Sequence, residues 1–468
     1  MGVPQNNSGI LNFCAYRQHL LKQARASCIS VEEVRNFLEH LPLSRFASHW
    51  LQSKHEVPYI QPRGGYATFA KQKILTEKLN LAGADFIPLT IDSCTRHNDY
   101  ERAQFLLERS EEDGRDYLNG YPLVNYGYEV TRELYRNIDK PVSLRHGTPD
   151  ARLLVEIAIA SGITEIEGGG LCYCLPYSTD FPLDKALLYW QYVDKLAADY
   201  SKKGRLIQRE SFGPLSSTMV PPVMVLIVGI LELLLAAEQG VKSFNLGFNQ
   251  TGSLIQDIAI GKILREKSRQ YLNMFGFTDV NTYIVYHQWM GAFPHHYGKS
   301  NCLIAISAFI ANLIGVDKII TKTQDESFGI PSIEANTKAA EEVQYVLKLS
   351  SLAGDIENEW IRAEADLLAS EVDSVLDTIF NMDEKELWCS VYNAVKEGIV
   401  DIPYVPHSVN KNLLLTIRDS TNSIRILREG NLPLKTQDLK LEKELLSRKQ
   451  VVYKNLADKM LSDINIMI

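Results

Sequence analysis

Three arginines in the first third of the chain each follow a short apolar run. Arg63 follows residues 58–61 in the segment QPRGG, Arg96 lies just beyond 84–91, and Arg145 follows 141–144 with His146 beside it. A guanidinium is a planar fork that suits a carboxylate. Three of them gathered in one cavity would repel and lose hydration unless an anion filled it. A small molecule with two carboxylates would supply that anion, each charge-assisted bond contributing about 1.5–3 kcal/mol. Phosphate is the rival ligand, and pairing with Asp92, Asp99 and Asp150 is the purely structural alternative. Glu167 ends another apolar run, 163–166, and opens EGGG, where backbone can approach a ligand closely. Its carboxylate could accept a bond from an ammonium group or exchange a proton with it, or it could simply cap a loop. Tyr173 and Tyr177 follow, with Pro176 fixing the course of their segment. Lys322, Thr323, Asp325 and Glu326 come after 318–321 and lead to Ile330 and Pro331. The stretch HQWMGAF, from His287 to Phe293, suits an apolar lid or the face of a flat cofactor, although such clusters also build cores.

Eight short runs carry these groups: 58–61, 84–91, 141–144, 163–166, 206–207, 243–246, 281–286 and 318–321. Segments with helical spacing separate most of them, the clearest being 69–81, 151–160, 184–200, 222–239, 253–275 and 300–314. This alternation predicts an α/β fold, a TIM (β/α)8 barrel, with a doubly wound sheet as the competing arrangement. In the barrel, Arg63, Arg96, Arg145, His146, Glu167, Arg209, Glu210, His287, Lys322 and Glu326 all fall at the mouth. The interval 92–140 is long and must carry extra structure, including LNGYPLVNYG with Asn119. Residues 1–57 read as a helical arm, with Ser30 capping a helix over 31–41. Residues 58–340 form the barrel and 341–468 a mainly helical extension. Within the extension, 355–380 is amphipathic through Ile356, Trp360, Leu367, Val375 and Ile379. A loop-rich region runs on to 433, and 434–468 packs on the barrel or on a second copy.

The chain has 468 residues, is 45% apolar and has a net charge of -8. That balance argues against a nucleic-acid partner. The 7 cysteines show no framework spacing, which suits a reducing cytoplasm. Cys172 and Cys174 have no matching second pair, so no metal site is assigned. The N-terminus reads as neither a signal peptide nor a myristoylation site. The most apolar run, 221–235, contains Glu232 and is too short to span a bilayer, so it reads as a buried helix and no membrane is expected.

Longer motifs then carry a resemblance. QPRGG, ADFIPLTIDSCTRHNDYE, LNGYPLVNYG, SLRHGTPDARLL, EGGGLCYCLPY, FGPLSSTMVPP, LLAAEQGVKSFNLGFNQTGSLIQDIA, HQWMGAFP and TKTQDESFGIPSIEAN run in register from about residue 59 to about residue 336. EGIVDIPYVPHSVN and IRDSTNSIRILREGNLPL resume the match. Together they resemble the epsilon subunits of glutamate mutase, also called methylaspartate mutase. The resemblance implies the catalytic chain of an adenosylcobalamin-dependent radical isomerase that converts L-glutamate to (2S,3S)-3-methylaspartate. The alternatives within the likeness are a relative acting on a related amino acid and a non-catalytic relative. Residue by residue, the likeness puts substrate binding on Arg63, Arg96, Arg145, His146, Glu167, Tyr173 and Tyr177, with Glu167 also catalytic. It puts cofactor contacts on Gly65, Asn119, Pro176, Phe293, Lys322, Glu326 and Ile330, with Lys322 and Glu326 holding the adenosyl ribose. No DxHxxG motif for cobalt is present in the sequence. The resemblance therefore implies a small cobalamin-binding sigma subunit as partner, in a heterotetramer of two large and two small chains.

Overall fold

A computed structural model describes residues 13–23, 29–53, 55–213, 219–350, 357–447 and 455–468. Its centre is a parallel sheet of eight strands: β1 (Tyr59–Gln61), β2 (Ile87–Thr90), β3 (Val142–Arg145), β4 (Glu165–Glu167), β5 (Gln208–Ser211), β6 (Ser243–Asn249), β7 (Asn281–His287) and β8 (Lys318–Ile320). The order around the sheet is β1-β8-β7-β6-β5-β4-β3-β2. Its two end strands, β1 and β2, face each other across a seam. Asp85 N and Phe86 N donate to Ile60 O at 2.9 and 3.2 Å, and Thr90 N donates to Gly64 O at 3.0 Å. An open doubly wound sheet has no such bonds between its two edges, so the fold is the (β/α)8 barrel.

Helices return the chain between strands. Phe69–Leu81 is capped by the Thr68 hydroxyl, and the apolar Arg152–Ala160 and Pro222–Glu238 are buried along nearly their whole length. Helix Tyr297–Ile314 is long and apolar enough to cross a membrane, but it packs between Leu254–Met274 and Ile333–Ser350 as a barrel helix. The long interval after β2 holds helices Ser93–Arg96, Tyr100–Asp113 and Leu123–Leu134.

Because strand side chains alternate, every second residue points into the barrel. Here most of those residues are polar, with Pro88, Val285 and Ile320 the apolar members, whereas barrels of this kind are usually filled with branched apolar side chains. Lys318 Nζ donates to Gln61 Oε1 (2.7 Å), Glu165 Oε1 (2.8 Å) and Glu210 Oε2 (2.6 Å). Asn245 Nδ2 donates to the same two carboxylates at 2.8 and 2.9 Å. The outward set, Leu144, Ile166 and Ile319, is fully buried beneath the helices. One expectation fails at β5. The apolar pair 206–207 ends before the strand begins, so Arg209 and Glu210 lie inside it rather than beyond its end. Glu210 points inward. Arg209 points out to the helix layer, where its Nε meets Asp194 Oδ1 at 2.6 Å and its guanidinium lies over Trp190. Arg209 is therefore not a mouth residue.

The N-terminal helices Phe13–Gln23, Val31–His40 and Ala47–Gln52 pack on the barrel. The Ser30 hydroxyl accepts from Glu33 N at 3.3 Å, as the capping pattern predicts, and buried Arg17 clasps Glu156 at 2.5–2.6 Å. Beyond the barrel, the region expected to be loop-rich contains helix Leu387–Glu397 and the antiparallel hairpin β9 (Leu415–Arg418) and β10 (Ile424–Arg428). Helix Glu359–Phe380 buries Leu367, Val375 and Ile379, but Trp360 is 56% exposed and Ile356 lies outside the described residues. Helices Thr436–Ser447 and Leu456–Ile464 close the chain against this hairpin, through Glu442 on Ile426 N (2.7 Å) and Asp463 on Arg418 N (2.9 Å).

Candidate active site at the barrel mouth

Parallel strands bring all their C-terminal ends to one rim, so the loops after β1, β2, β3, β4, β7 and β8 meet at one mouth. Arg63 stands after β1, and its Nη1 touches Met290 Sδ at 3.8 Å. Arg96 ends the short helix after β2, and its Nε donates to Ile91 O at 2.7 Å. The structural alternative for these arginines fails on geometry. Asp92 turns its Oδ1 to the amides of Cys94 and Thr95 (2.8 and 3.0 Å) and forms no ion pair with Arg96, Asp99 caps the next helix through Arg102 N (3.1 Å), and Asp150 holds Arg152 (2.6 Å). Among the described residues neither Arg63 nor Arg96 has an ion-pair partner. Arg145 differs. From the end of β3 it reaches two carboxylates, forming an ion pair with Glu167 and lying 3.5 Å from Glu210 Oε1.

Glu167 is buried and also accepts a hydrogen bond from the Tyr173 hydroxyl. Burial pushes its carboxyl up to about 7, with Arg145 opposing and Glu210 reinforcing the rise. The glycines after it are needed. Gly168 has φ +122°, and a Cβ there would collide with the Trp190 and Tyr173 rings. His146 stacks on Trp190 with centroids 5.7 Å apart and meets Tyr173 edge-on at 4.9 Å. Tyr173 in turn meets Tyr177, which is 40% exposed at the opening. Burial, reinforced by neighbouring arginines, holds the His146 and His287 imidazoles well below their usual range, so both are neutral. The fully buried His287 has no hydrogen-bond partner on either ring nitrogen among the described residues.

The other side of the rim has different chemistry. Lys322 Nζ lies 2.6 Å from Glu326 Oε2 and 5.8 Å from the centre of the Phe293 ring. Burial and then Arg63 pull the lysine down to about 8, against the pull of Glu326. Gly65 is buried, and a Cβ there would strike the Thr90 carbonyl, so only glycine allows this close approach of the loop to β2. Asn119 is exposed, with its Oδ1 accepting from Ser93 N at 2.8 Å. Pro176 is half-buried, and Ile330 stands 48% exposed near exposed Phe328 and Tyr297. A buried donor–acceptor pair beside an aromatic ring fits a sugar diol, and a broad apolar rim fits a flat ring system. The sequence reading missed Glu210 as a partner of Arg145, Phe212 under the Arg145 guanidinium (5.7 Å) and Trp190 behind His146. Setting the fifth strand two residues later would have revealed Glu210, because it then shares the inward parity of Glu165 and Glu167.

These features define a (β/α)8 barrel with a charged cluster of side chains at the C-terminal ends of its strands. Comparison with known proteins places it further. The family model described as methylaspartate mutase E chain matches residues 41–467. The glutamate mutase epsilon subunit of Escherichia coli O157:H7 is 39% identical over 445 residues, covering 93% of this chain and 92% of the relative. The protein of the same name from Desulfitobacterium hafniense is 37% identical over 441 residues, covering 93% and 91%. That from Haloarcula marismortui is 37% identical over 407 residues, covering 87% and 82%. The chain belongs to the methylaspartate mutase E chain family.

Proposed function

We propose that this chain is the catalytic subunit of an adenosylcobalamin-dependent glutamate mutase, isomerising L-glutamate to (2S,3S)-3-methylaspartate. The observation that carries this reading is the charge count of the cavity. Among the described residues Arg63 and Arg96 lack carboxylate partners, while Arg145 is divided between Glu167 and Glu210 and leaves one carboxylate in surplus. Two unpaired cations and one surplus anion are the complement of an amino dicarboxylate. Phosphate would answer the arginines but leave Glu167 facing a like charge.

In this reading Arg63 and Arg96 grip the two carboxylates, and Arg145 steadies the nearer one. Glu167 accepts a hydrogen bond from the substrate ammonium, with Tyr173 and Arg145 fixing its two oxygens. His146 and Tyr177 complete the wall. Lys322 and Glu326 would hold ribose hydroxyls of the adenosyl group, Phe293 and Ile330 would face its flat parts, and Gly65, Asn119 and Pro176 would line its approach. When bound, the cofactor supplies the radical chemistry that exchanges a hydrogen atom with the substrate. The barrel walls exclude water from the cavity while that happens. The corrin and cobalt would be held chiefly by a small cobalamin-binding sigma subunit docked over the mouth, in a heterotetramer of two large and two small chains.

The test combines the purified chain with a cobalamin-binding subunit, adenosylcobalamin and L-glutamate, without oxygen and in dim light. Formation of 3-methylaspartate, followed by coupling to its ammonia-lyase, is expected only with every component present. A cobalamin-dependent complex without product would transfer the reading to another amino acid. Neither complex nor product would sink it.

A further inference from the structure

The barrel interior holds three carboxylates and two cations in one connected cluster. Lys318 on β8 bonds Glu165 on β4 and Glu210 on β5, and Arg145 on β3 lies between Glu210 and Glu167. All five side chains are buried. Neutral partners join the set: Asn245 on β6 donates to Glu165 and Glu210, Ser143 on β3 donates to Glu165, and the Tyr173 hydroxyl donates to Glu167. The titratable His146, Tyr177 and His287 also face it, the two imidazoles held neutral and the phenol pushed up by burial. Arg63 faces Glu167 from the loop after β1. Glu210 is the hinge of this arrangement. Lys318 and Asn245 pin one oxygen at 2.6 and 2.9 Å, while its other oxygen lies 3.5 Å from the Arg145 guanidinium and has no hydrogen-bond partner among the described residues.

We infer that Glu210, anchored by Lys318, is a positioning residue: it divides Arg145 between two carboxylates and so governs whether Glu167 holds a proton. The inference deepens the mutase reading and rests on it only for the role of Glu167. With Glu210 charged, Arg145 cannot give its whole charge to Glu167, and a second negative charge stands nearby. Both effects favour a proton on Glu167. Removing the charge at 210 releases Arg145 to Glu167 and lowers its proton affinity. Burial has the same sign in both cases, so it does not mask the change.

The test is the pH dependence of kcat/KM in the reconstituted complex. Wild type is expected to lose activity as pH falls through about 7, where Glu167 takes up its proton. In Glu210→Gln that limb should move down by roughly one pH unit, the scale on which coupled carboxylates interact. Glu210→Asp, which restores the charge, should bring it back toward wild type. A glutamine variant with its limb unmoved would overturn the inference, since a merely structural role lowers activity without displacing the limb. Infrared titration gives a second measurement that needs no turnover. Burial also pushes Glu238 and Glu442 up to about 7, so the signal is read as the difference between wild type and Glu167→Gln. A carboxyl titrating near neutrality in wild type and missing from that variant is expected, and its absence would overturn the inference. If wild type makes no product, the mutase reading fails on its own, and the infrared titration still decides the carboxyl.

Discussion

Two buried charge clusters in this chain use arginine in opposite ways. In the C-terminal extension, Arg425 on β10 meets Glu364 at 2.6 Å, Asp419 at 2.9 Å and Glu442 at 3.4 Å. Its three nitrogens are all engaged, and the contacts tie the hairpin to helices Glu359–Phe380 and Thr436–Ser447. At the barrel mouth, Arg63 and Arg96 have no carboxylate partner among the described residues, and Arg145 is shared. A guanidinium surrounded by its own chain's carboxylates holds structure together. One half-buried without them keeps part of its desolvation cost, which an anionic ligand could offset. The pairing, not the residue type, separates a scaffold arginine from a candidate binding arginine.

Breaking the scaffold cluster should have the largest effect. Arg425→Met leaves Glu364, Asp419 and Glu442 unneutralised beside Glu371, whose carboxyl burial already pushes far up. Denaturant titration should show a loss of about 3–5 kcal/mol. Molecules that remain folded should keep their kcat; a fall in kcat there would blur the division between the two clusters. Next comes Glu167→Gln, which keeps the size but cannot take a proton. It should lower kcat by roughly a hundredfold, more than it weakens binding. A loss confined to binding would make Glu167 a positioning group. Arg96→Lys removes the bidentate fork but keeps the charge, so KM should rise by roughly tenfold or more. Its melting temperature should change little, because no ion pair is lost and only the Nε bond to Ile91 O goes. An unchanged KM would remove Arg96 from the proposed carboxylate grip, and a drop in stability like that of Arg425→Met would collapse the comparison.

The same contrast explains what could be read from the sequence. Strand–helix alternation and the position of charges after apolar runs gave the barrel and most of its rim, because burial outside and chemistry at strand ends leave a periodic trace. Arg63, Arg96, Arg145 and Glu167 all came out at the C-terminal ends of β1 to β4. Glu210 and Arg209 did not, since β5 is polar along its whole length and has no apolar run to mark it. The polar barrel interior was hidden for the same reason: Gln61, Glu165, Asn245 and Lys318 look like surface residues until their parity is known. The hairpin of the extension was also missed. Its strands are short, and their partners, Glu364 and Glu442, lie far away in sequence.

The smallest effect belongs to the other rim of the mouth and sharpens the comparison from its edge. Lys322 is a paired cation like Arg425, but it faces the cavity, and burial together with Arg63 brings it down to about 8. Its charge is therefore present below that pH and is lost as pH rises through it. Glu167 gains its charge as pH rises through about 7. Activity that needs the lysine charged and the glutamate ionised should peak between the two and fall on both sides. Lys322→Arg keeps a positive charge beside Glu326 at every accessible pH, at the cost of a bulkier head. In that variant the alkaline fall of kcat/KM should vanish while the acid limb stays where it was. If the alkaline fall survives, another group sets it, and Lys322 is a scaffold cation after all.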